Sequence, residues 1–151
     1  MRRRRVPAAS AIVAVVVGTT TACLPSMTDD SNQCNLRVDN PHVSERQRKL
    51  GNLTIDAKAR VECDMSPGTH LVTMTLERLV SGTWLHRETS DPDQRIPGPG
   101  KPLTYMVAVN ECVPGRWRAT ATAQGKLKGK PFHFTDEKQS DIPKAKCEVG
   151  R

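Results

Sequence analysis

The sequence predicts an all-β domain, and three observations support this fold class. Short segments in which apolar and polar residues alternate recur along the chain from Cys34 onward. Turn residues separate these segments roughly every 8 to 12 positions, and no stretch longer than a turn shows helical periodicity. The chain has 151 residues, 36% hydrophobic and 26% charged. That suits one modest soluble domain and excludes a polytopic membrane protein.

The first three strands follow from period-two alternation. Cys34–Asp39 is the first predicted strand. The second, Leu53–Cys63, has the clearest alternation, with Leu53, Ile55, Ala57, Ala59, Val61 and Cys63 on the buried face and Thr54, Asp56, Lys58, Arg60 and Glu62 on the exposed face. After a Pro67-Gly68 turn, Leu71–Leu79 places Val72, Met74 and Leu76 on its buried face.

A hairpin and a long loop are predicted next. Ser81-Gly82 closes a hairpin into the fourth strand, Thr83–Arg87, which carries Trp84. The segment from Asp91 to Pro102 contains four prolines and two glycines. Because proline cannot donate a ladder hydrogen bond, this segment is expected to cross the surface as a loop.

Three further strands complete the predicted fold. Leu103–Val109 resumes the alternation, and Pro114-Gly115 turns into Arg116–Gln124, which buries Trp117 and the alanines that alternate after it. Gly125–Gly129 is predicted as a basic hairpin tip, and Phe132 and Phe134 mark the seventh strand. Seven short strands predict an immunoglobulin-like β-sandwich, with an open barrel as the alternative.

The N-terminal residues predict an export signal. Arg2–Arg5 supply four of the 23 basic side chains, so the other 19 face 16 acidic ones and the net charge falls from +7 to +3. That is too small a charge to predict nucleic acid as a partner. An apolar run, Ala8–Gly18, then leads into Thr19–Ala22. This is the pattern of a secretory signal peptide, and the run is shorter than the roughly 20 apolar residues of a membrane helix.

The residues at the end of this signal, Thr20-Thr21-Ala22-Cys23, resemble the lipobox of bacterial lipoprotein precursors, although Thr20 stands where leucine is commonest. The resemblance implies that the Cys23 thiol receives a diacylglyceryl group and becomes the mature N-terminus. Ordinary signal-peptidase cleavage at the same bond is the alternative, because Thr20 and Ala22 also satisfy the small-residue rule. The predicted organisation is a signal peptide at 1–22, a lipid-anchored tether at 23–33 and a β-sandwich domain at 34–151.

The cysteine count fits this organisation. Five cysteines are present, and setting Cys23 aside leaves an even number, as expected for two disulfides in an oxidising compartment. A zinc site is disfavoured because no two of the four lie in a C-x-x-C pair. In a sandwich whose strands alternate in direction, Cys34 and Cys63 share one pole and Cys112 and Cys147 share the other. The predicted pairs are therefore Cys34–Cys63 and Cys112–Cys147.

The stretch Cys112-Val-Pro-Gly-Arg-Trp117 is similar to the turn that leads into the sixth strand of many sandwich domains. The exported chain as a whole resembles small secreted actinobacterial proteins of that architecture. This resemblance implies the fold and no particular activity.

Motifs for catalysis or metal binding are absent from the sequence. There is no G-x-S-x-G elbow or glycine-rich phosphate loop, and Asp91-Pro-Asp93 does not continue into a calcium loop. The histidines stand singly, without H-x-x-x-H spacing; they are His42, His70, His86 and His133. We therefore expect no catalytic residue, no metal and no cofactor.

Two features are candidates for binding. Lys126, Lys128 and Lys130 alternate at the basic tip, and Arg116 and Arg118 share an outer face that is expected to lie nearby. Together they would form a patch for anionic envelope polymer or lipid headgroups, unless these charges only protect a strand edge from pairing with other chains. The Asp91–Pro102 loop is the second candidate, because long loops on rigid scaffolds often carry recognition. Its alternative role is a plain connector.

Together these features predict a membrane-anchored lipoprotein on the extracytoplasmic face of the cell membrane. It would act as a binding or interaction module, with the membrane and an unknown protein or anionic envelope component as its partners. A structural or accessory envelope protein, a freely secreted factor and a hydrolase with a site assembled from scattered residues are the alternatives.

Overall fold

The computed structural model describes residues 34–148. The predicted signal peptide, the tether and its Cys23 lie outside the described residues. Within them, eight strands form two antiparallel sheets. The strands are β1 (Cys34–Val38), β2 (His42–Val43), β3 (Ile55–Cys63), β4 (Thr69–Val80), β5 (Thr83–Thr89), β6 (Leu103–Val109), β7 (Gly115–Leu127) and β8 (Lys130–Ile142). A short helix α1 (Glu45–Lys49) and a 3₁₀ turn (Lys144–Cys147) complete the described chain.

The two sheets pack face to face as a sandwich, which confirms the predicted fold class. In the first sheet β3 is central, with β6 on one side and both β1 and β2 on the other. The second sheet has the order β5-β4-β7-β8. The count is eight rather than seven because the first edge strand is interrupted at Pro41, which has no backbone N–H to donate, and pairing resumes at His42.

The core lies between the inner faces of the sheets. Val72, Met74 and Leu76 of β4 are buried as predicted, as is Trp117 of β7, whose indole N–H donates to the Val113 carbonyl at 2.9 Å. Small residues of β7 lie opposite large residues of β8, with Ala123 beside Phe134 and Gly125 beside Phe132. Such pairing of small with large side chains fills the space between neighbouring strands.

The outer face of β3 differs from the prediction at its start. Thr54 and Asp56 were expected to face solvent but are buried. The His42 Nε2 atom lies 3.0 Å from Asp56 Oδ1, and the Thr54 hydroxyl donates to Asn110 Oδ1 at 3.4 Å. The alternation of apolar and polar residues shows which face of the sheet a side chain is on. Whether that face is buried depends on which other elements pack against it.

The β7–β8 hairpin is longer than predicted. Gly125 and Lys126 lie within β7, and only Lys128 and Gly129 form the turn. Both turn residues have positive φ, 49° and 79°. Positive φ at both central residues is the conformation that joins two twisted antiparallel strands through a two-residue loop.

Two disulfides confirm the predicted pairs, Cys34–Cys63 and Cys112–Cys147. Cys34 and Cys63 are directly opposed on β1 and β3, while Cys112–Cys147 joins the segment before β7 to the 3₁₀ turn after β8. The bridges therefore mark opposite ends of the sandwich. We call these ends the Cys34 pole and the Cys112 pole.

The segment Asp91–Pro102 is a loop, as predicted, and it passes from the second sheet to the first. Asp93 and Val72 exchange two backbone hydrogen bonds of 2.9 Å each, which hold the loop against β4. The N–H of Gly100 donates to the Cys63 carbonyl at 2.9 Å, and Pro97 is fully buried. The loop is thus held to β4 near its start and to the end of β3 near its end.

Candidate functional site

A shallow, open groove lies at the Cys34 pole. It has a volume of about 720 Å³. The start of β4, the end of β7, the start of β8 and the Asp91–Pro102 loop form its walls. Its polar side chains include His70, Gln94, Gln124, Lys126 and His133, and its apolar ones include Leu71, Ile96, Pro131 and Phe132. The groove therefore joins the two features that the sequence nominated for binding, the loop and the lysine hairpin.

An ion pair stiffens the loop wall of the groove. The Asp93 carboxylate accepts hydrogen bonds from the Arg95 backbone N–H at 2.9 Å and from Arg95 Nε at 2.8 Å. The guanidinium also donates to the Thr104 carbonyl at 2.9 Å and lies 5.0 Å from the centre of the Tyr105 ring. These hydrogen bonds hold the pKa of Asp93 below its usual value. A loop restrained in this way loses less conformational entropy when it binds a ligand.

His70 forms the floor of the groove and is only 4% exposed. Its Nδ1 lies 2.9 Å from the Arg95 carbonyl oxygen, which can only accept, so Nδ1 carries the proton. Burial lowers the pKa of His70 and favours the neutral ring. Its Nε2 is buried and has no hydrogen-bond partner among residues 34–148.

Tyr105 belongs to the core and lies next to His70. The two ring centres are 6.1 Å apart, and the Tyr105 hydroxyl donates to the Arg95 carbonyl at 3.4 Å. Burial raises the pKa of Tyr105 to about 12, so the phenol is neutral at physiological pH. The centre of the Phe132 ring lies 6.2 Å from that of His70. The imidazole therefore has two aromatic rings as neighbours.

Gly125 allows the strands to approach closely at the back of the groove. A Cβ at this position would lie 2.8 Å from Phe132 Cζ and 2.9 Å from the Thr69 carbonyl carbon. The backbone of Gly125 does not have positive φ, so the absence of a side chain, not an unusual conformation, is what this site requires.

One of the three hairpin lysines, Lys126, lines the groove, and Lys128 and Lys130 follow it in the turn and at the start of β8. Lys126, Lys128 and Lys130 are exposed. The Lys126 carbonyl accepts from the Gly68 N–H at 2.8 Å, which fixes the hairpin to the start of β4. The ammonium groups of Lys126 and Lys128 make no ion pair with any residue in 34–148.

The prediction that Arg116 and Arg118 lie beside these lysines is wrong. Arg116 is ten residues from Lys126 along β7, opposite Asp141 of β8 and near the Cys112 pole. At about 3.3 Å per residue, the two side chains start some 33 Å apart. Arg118 is held by Glu77 at 2.6 Å and Glu137 at 3.6 Å, with its guanidinium 4.5 Å from the Trp84 ring. Paired with two carboxylates, it is not available as an anion site.

The sequence patterns do not single out His70, Arg95, Tyr105 or Gly125 as site residues. One signal for His70 is that it alternates in step with the buried residues Val72, Met74 and Leu76. Arg95 lies in the Asp91–Pro102 loop and Gly125 in the predicted hairpin tip, but what they contact depends on the tertiary fold, which no local pattern describes. The described chain also contains no cluster of three His, Cys, Asp or Glu residues that could hold a metal ion. Nor does any of its helices have the length and apolar character needed to cross a membrane.

Comparison with known proteins yields only distant structural neighbours. No protein-family model and no curated protein sequence matches the chain. The putative ApaA protein from Bordetella pertussis is 16% identical, with a TM-score of 0.44, and the match covers 73% of this chain and 94% of that one. A β-glucosidase from Listeria innocua is 10% identical with a TM-score of 0.37, and one from Kluyveromyces marxianus is 12% identical with a TM-score of 0.35.

The glucosidase matches cover 69% and 72% of this chain but only 16% and 15% of the enzymes. This chain thus spans only a small part of the length of each glucosidase. At these identities and scores, the neighbours give no argument about activity, ligand or partner.

Proposed function

We propose that the protein is exported, anchored to the membrane through an acylated Cys23, and acts as a non-enzymatic binding module whose site is the groove at the Cys34 pole. One observation carries the binding role: the restrained Asp91–Pro102 loop and the lysine-bearing hairpin form the walls of the same groove. A rigid loop on a disulfide-bonded sandwich is a common platform for recognition.

The disulfides support the proposed location. They use all four cysteines between residues 34 and 148. Structural disulfides persist in oxidising, extracytoplasmic compartments. Cys23 is then the one cysteine that disulfide formation within the domain does not consume, as acylation at that position requires.

The lining of the groove indicates the chemistry of its ligand. Lys126 contributes a positive charge, Gln94 and Gln124 contribute amide donors and acceptors, and Phe132 and Ile96 contribute apolar surface. An anionic component of the envelope that also carries apolar groups suits this combination.

Anchoring is tested by the intact mass and membrane partitioning of the mature protein, measured beside a Cys23→Ser variant. We expect a mass raised by acyl groups on Cys23 and membrane retention that is lost in the variant. An unmodified protein that is soluble in both forms would contradict the anchor and favour a freely secreted factor.

Binding at the groove is tested by NMR on isotope-labelled mature Cys23→Ser protein, titrated with an envelope extract. We expect chemical-shift changes clustered at the amides of His70, Lys126 and Phe132. Arg116, at the opposite end of the same strand, is the internal control. Changes confined to the Cys112 pole, or no changes at all, would contradict a role for the groove.

A further inference from the structure

We infer that the Cys34 pole docks on the anionic phospholipid headgroups of the same membrane that holds the anchor, through Lys126 and Lys128 together with the exposed side chains of Met65 and Ile96. This inference rests on the proposed anchor at Cys23, and it names the ligand class of the groove.

The length of the tether sets the orientation of the domain. Eleven peptide steps connect Cys23 to Cys34, and fully extended they reach at most about 40 Å. β7 has 13 residues, so the sandwich is about 43 Å long. If the Cys112 pole faced the bilayer, the tether would have to run the whole length of the domain, so the Cys34 pole faces the membrane.

The charge of this pole complements an anionic surface. Lys101, Lys126 and Lys128 are exposed there, and the exposed carboxylates of Glu62 and Asp64 oppose only part of that charge. Arg95 adds little because Asp93 neutralises it. Each lysine close to an anionic leaflet contributes about a fivefold increase in affinity.

Apolar side chains project at the same pole. Met65, in the turn between β3 and β4, is 42% exposed, and Ile96, in the Asp91–Pro102 loop, is 49% exposed. Ile96 and Lys126 both line the groove. Side chains that pair apolar surface with neighbouring lysines suit the boundary between headgroups and acyl chains.

The test is vesicle cosedimentation with mature Cys23→Ser protein, so that the domain surface is measured without the acyl chains. The vesicles are phosphatidylcholine alone or phosphatidylcholine with a quarter phosphatidylglycerol. We expect binding to the anionic vesicles only, weakened by added salt. Adding Lys126→Gln and Lys128→Gln should weaken it by about 25-fold.

The matched control removes the same charge at the other pole through Lys49→Gln and Lys146→Gln, both exposed positions. We expect the control to bind within about twofold of its parent. Only exposed side chains are changed, so all variants should remain folded. Thermal melts check this.

Three results would overturn the inference: no binding to anionic vesicles, equal losses in the two double variants, or displacement by millimolar inorganic phosphate at constant ionic strength. The last result would assign the lysines to a free anion. None of these would affect the mass measurement on Cys23, so failure of the docking surface is distinguishable from failure of the anchor.

Discussion

Gly125 provides the sharpest test of the geometry at the groove, through the variant Gly125→Ala. The added methyl group would lie 2.8 Å from Phe132 Cζ and 2.9 Å from the Thr69 carbonyl carbon, and closer still to the Thr69 carbonyl oxygen. Carbon atoms in contact normally sit about 3.5 to 4.0 Å apart, so β4 and β7 must separate by roughly 1 Å. The Phe132 side chain can rotate away, but the backbone of Thr69 cannot move without disturbing the ladder.

We expect this variant to lose about 3 kcal/mol of unfolding free energy, the upper range for inserting a methyl group into a packed site. For a domain of this size that corresponds to a fall of roughly 10 °C in Tm. Urea denaturation followed by Trp fluorescence measures the loss, since Trp117 is fully buried.

Gly68→Ala is the matched control. Gly68 also lines the groove, but its Cβ would lie 3.8 Å from the Lys126 carbonyl oxygen, an ordinary contact. Its stability should change by no more than about 0.5 kcal/mol. If the two alanine variants had the same urea midpoint, the close approach of Thr69 to Gly125 would be refuted.

Three further predictions concern the whole domain. The double variant Cys112→Ser and Cys147→Ser removes the bridge between two cysteines that are 35 positions apart. It should lose about 4 kcal/mol of unfolding free energy. A urea midpoint that changes neither in this variant nor on addition of reductant would contradict that value. Because burial lowers the pKa of His70, the unfolded chain binds a proton that the folded chain resists, so unfolding free energy should fall as pH drops from about 7.5 to 5.5. His70→Gln should flatten that slope and the exposed His86→Gln should retain it, as measured by urea titrations across this range; equal slopes would argue against a buried neutral His70. Arg118→Met removes the ion pairs with Glu77 and Glu137 and the contact with Trp84, and should cost about 1 to 2 kcal/mol, less at high salt; an unchanged melting temperature at low salt would show that the cluster contributes nothing.

Local pattern was sufficient for most of the strands. The Leu103–Val109 strand has the predicted boundaries, and Trp117 and the alanines that follow it face the core. Each of these strands has one face against the core and one toward solvent. Apolar and polar residues therefore alternate along the sequence, and this alternation predicts the strand. The disulfide pairs also followed, because antiparallel strand order determines which cysteines share a pole.

The site was predicted only in part. The lysine hairpin and the loop were both nominated, but their meeting at one groove depends on where the loop is tied to β4 and β6. The positions of the arginines do not follow from the sequence, because residues on a shared face need not lie close together. Along a 13-residue strand, residues on one face can lie about 33 Å apart.

The sequence by itself determined that this is an all-β domain with an even set of cysteines once Cys23 is set aside, and it predicts an export signal. Periodicity, turn residues and cysteine spacing are properties of neighbouring residues or simple counts, so the sequence alone shows them. Only the tertiary structure decided that His70 is buried next to Tyr105 and Phe132, that Arg118 pairs with Glu77, and that the lysine hairpin lies at the same pole as Cys34. These facts depend on contacts between residues far apart in the chain, which are set by the packing of the two sheets and by the path of the loop between them.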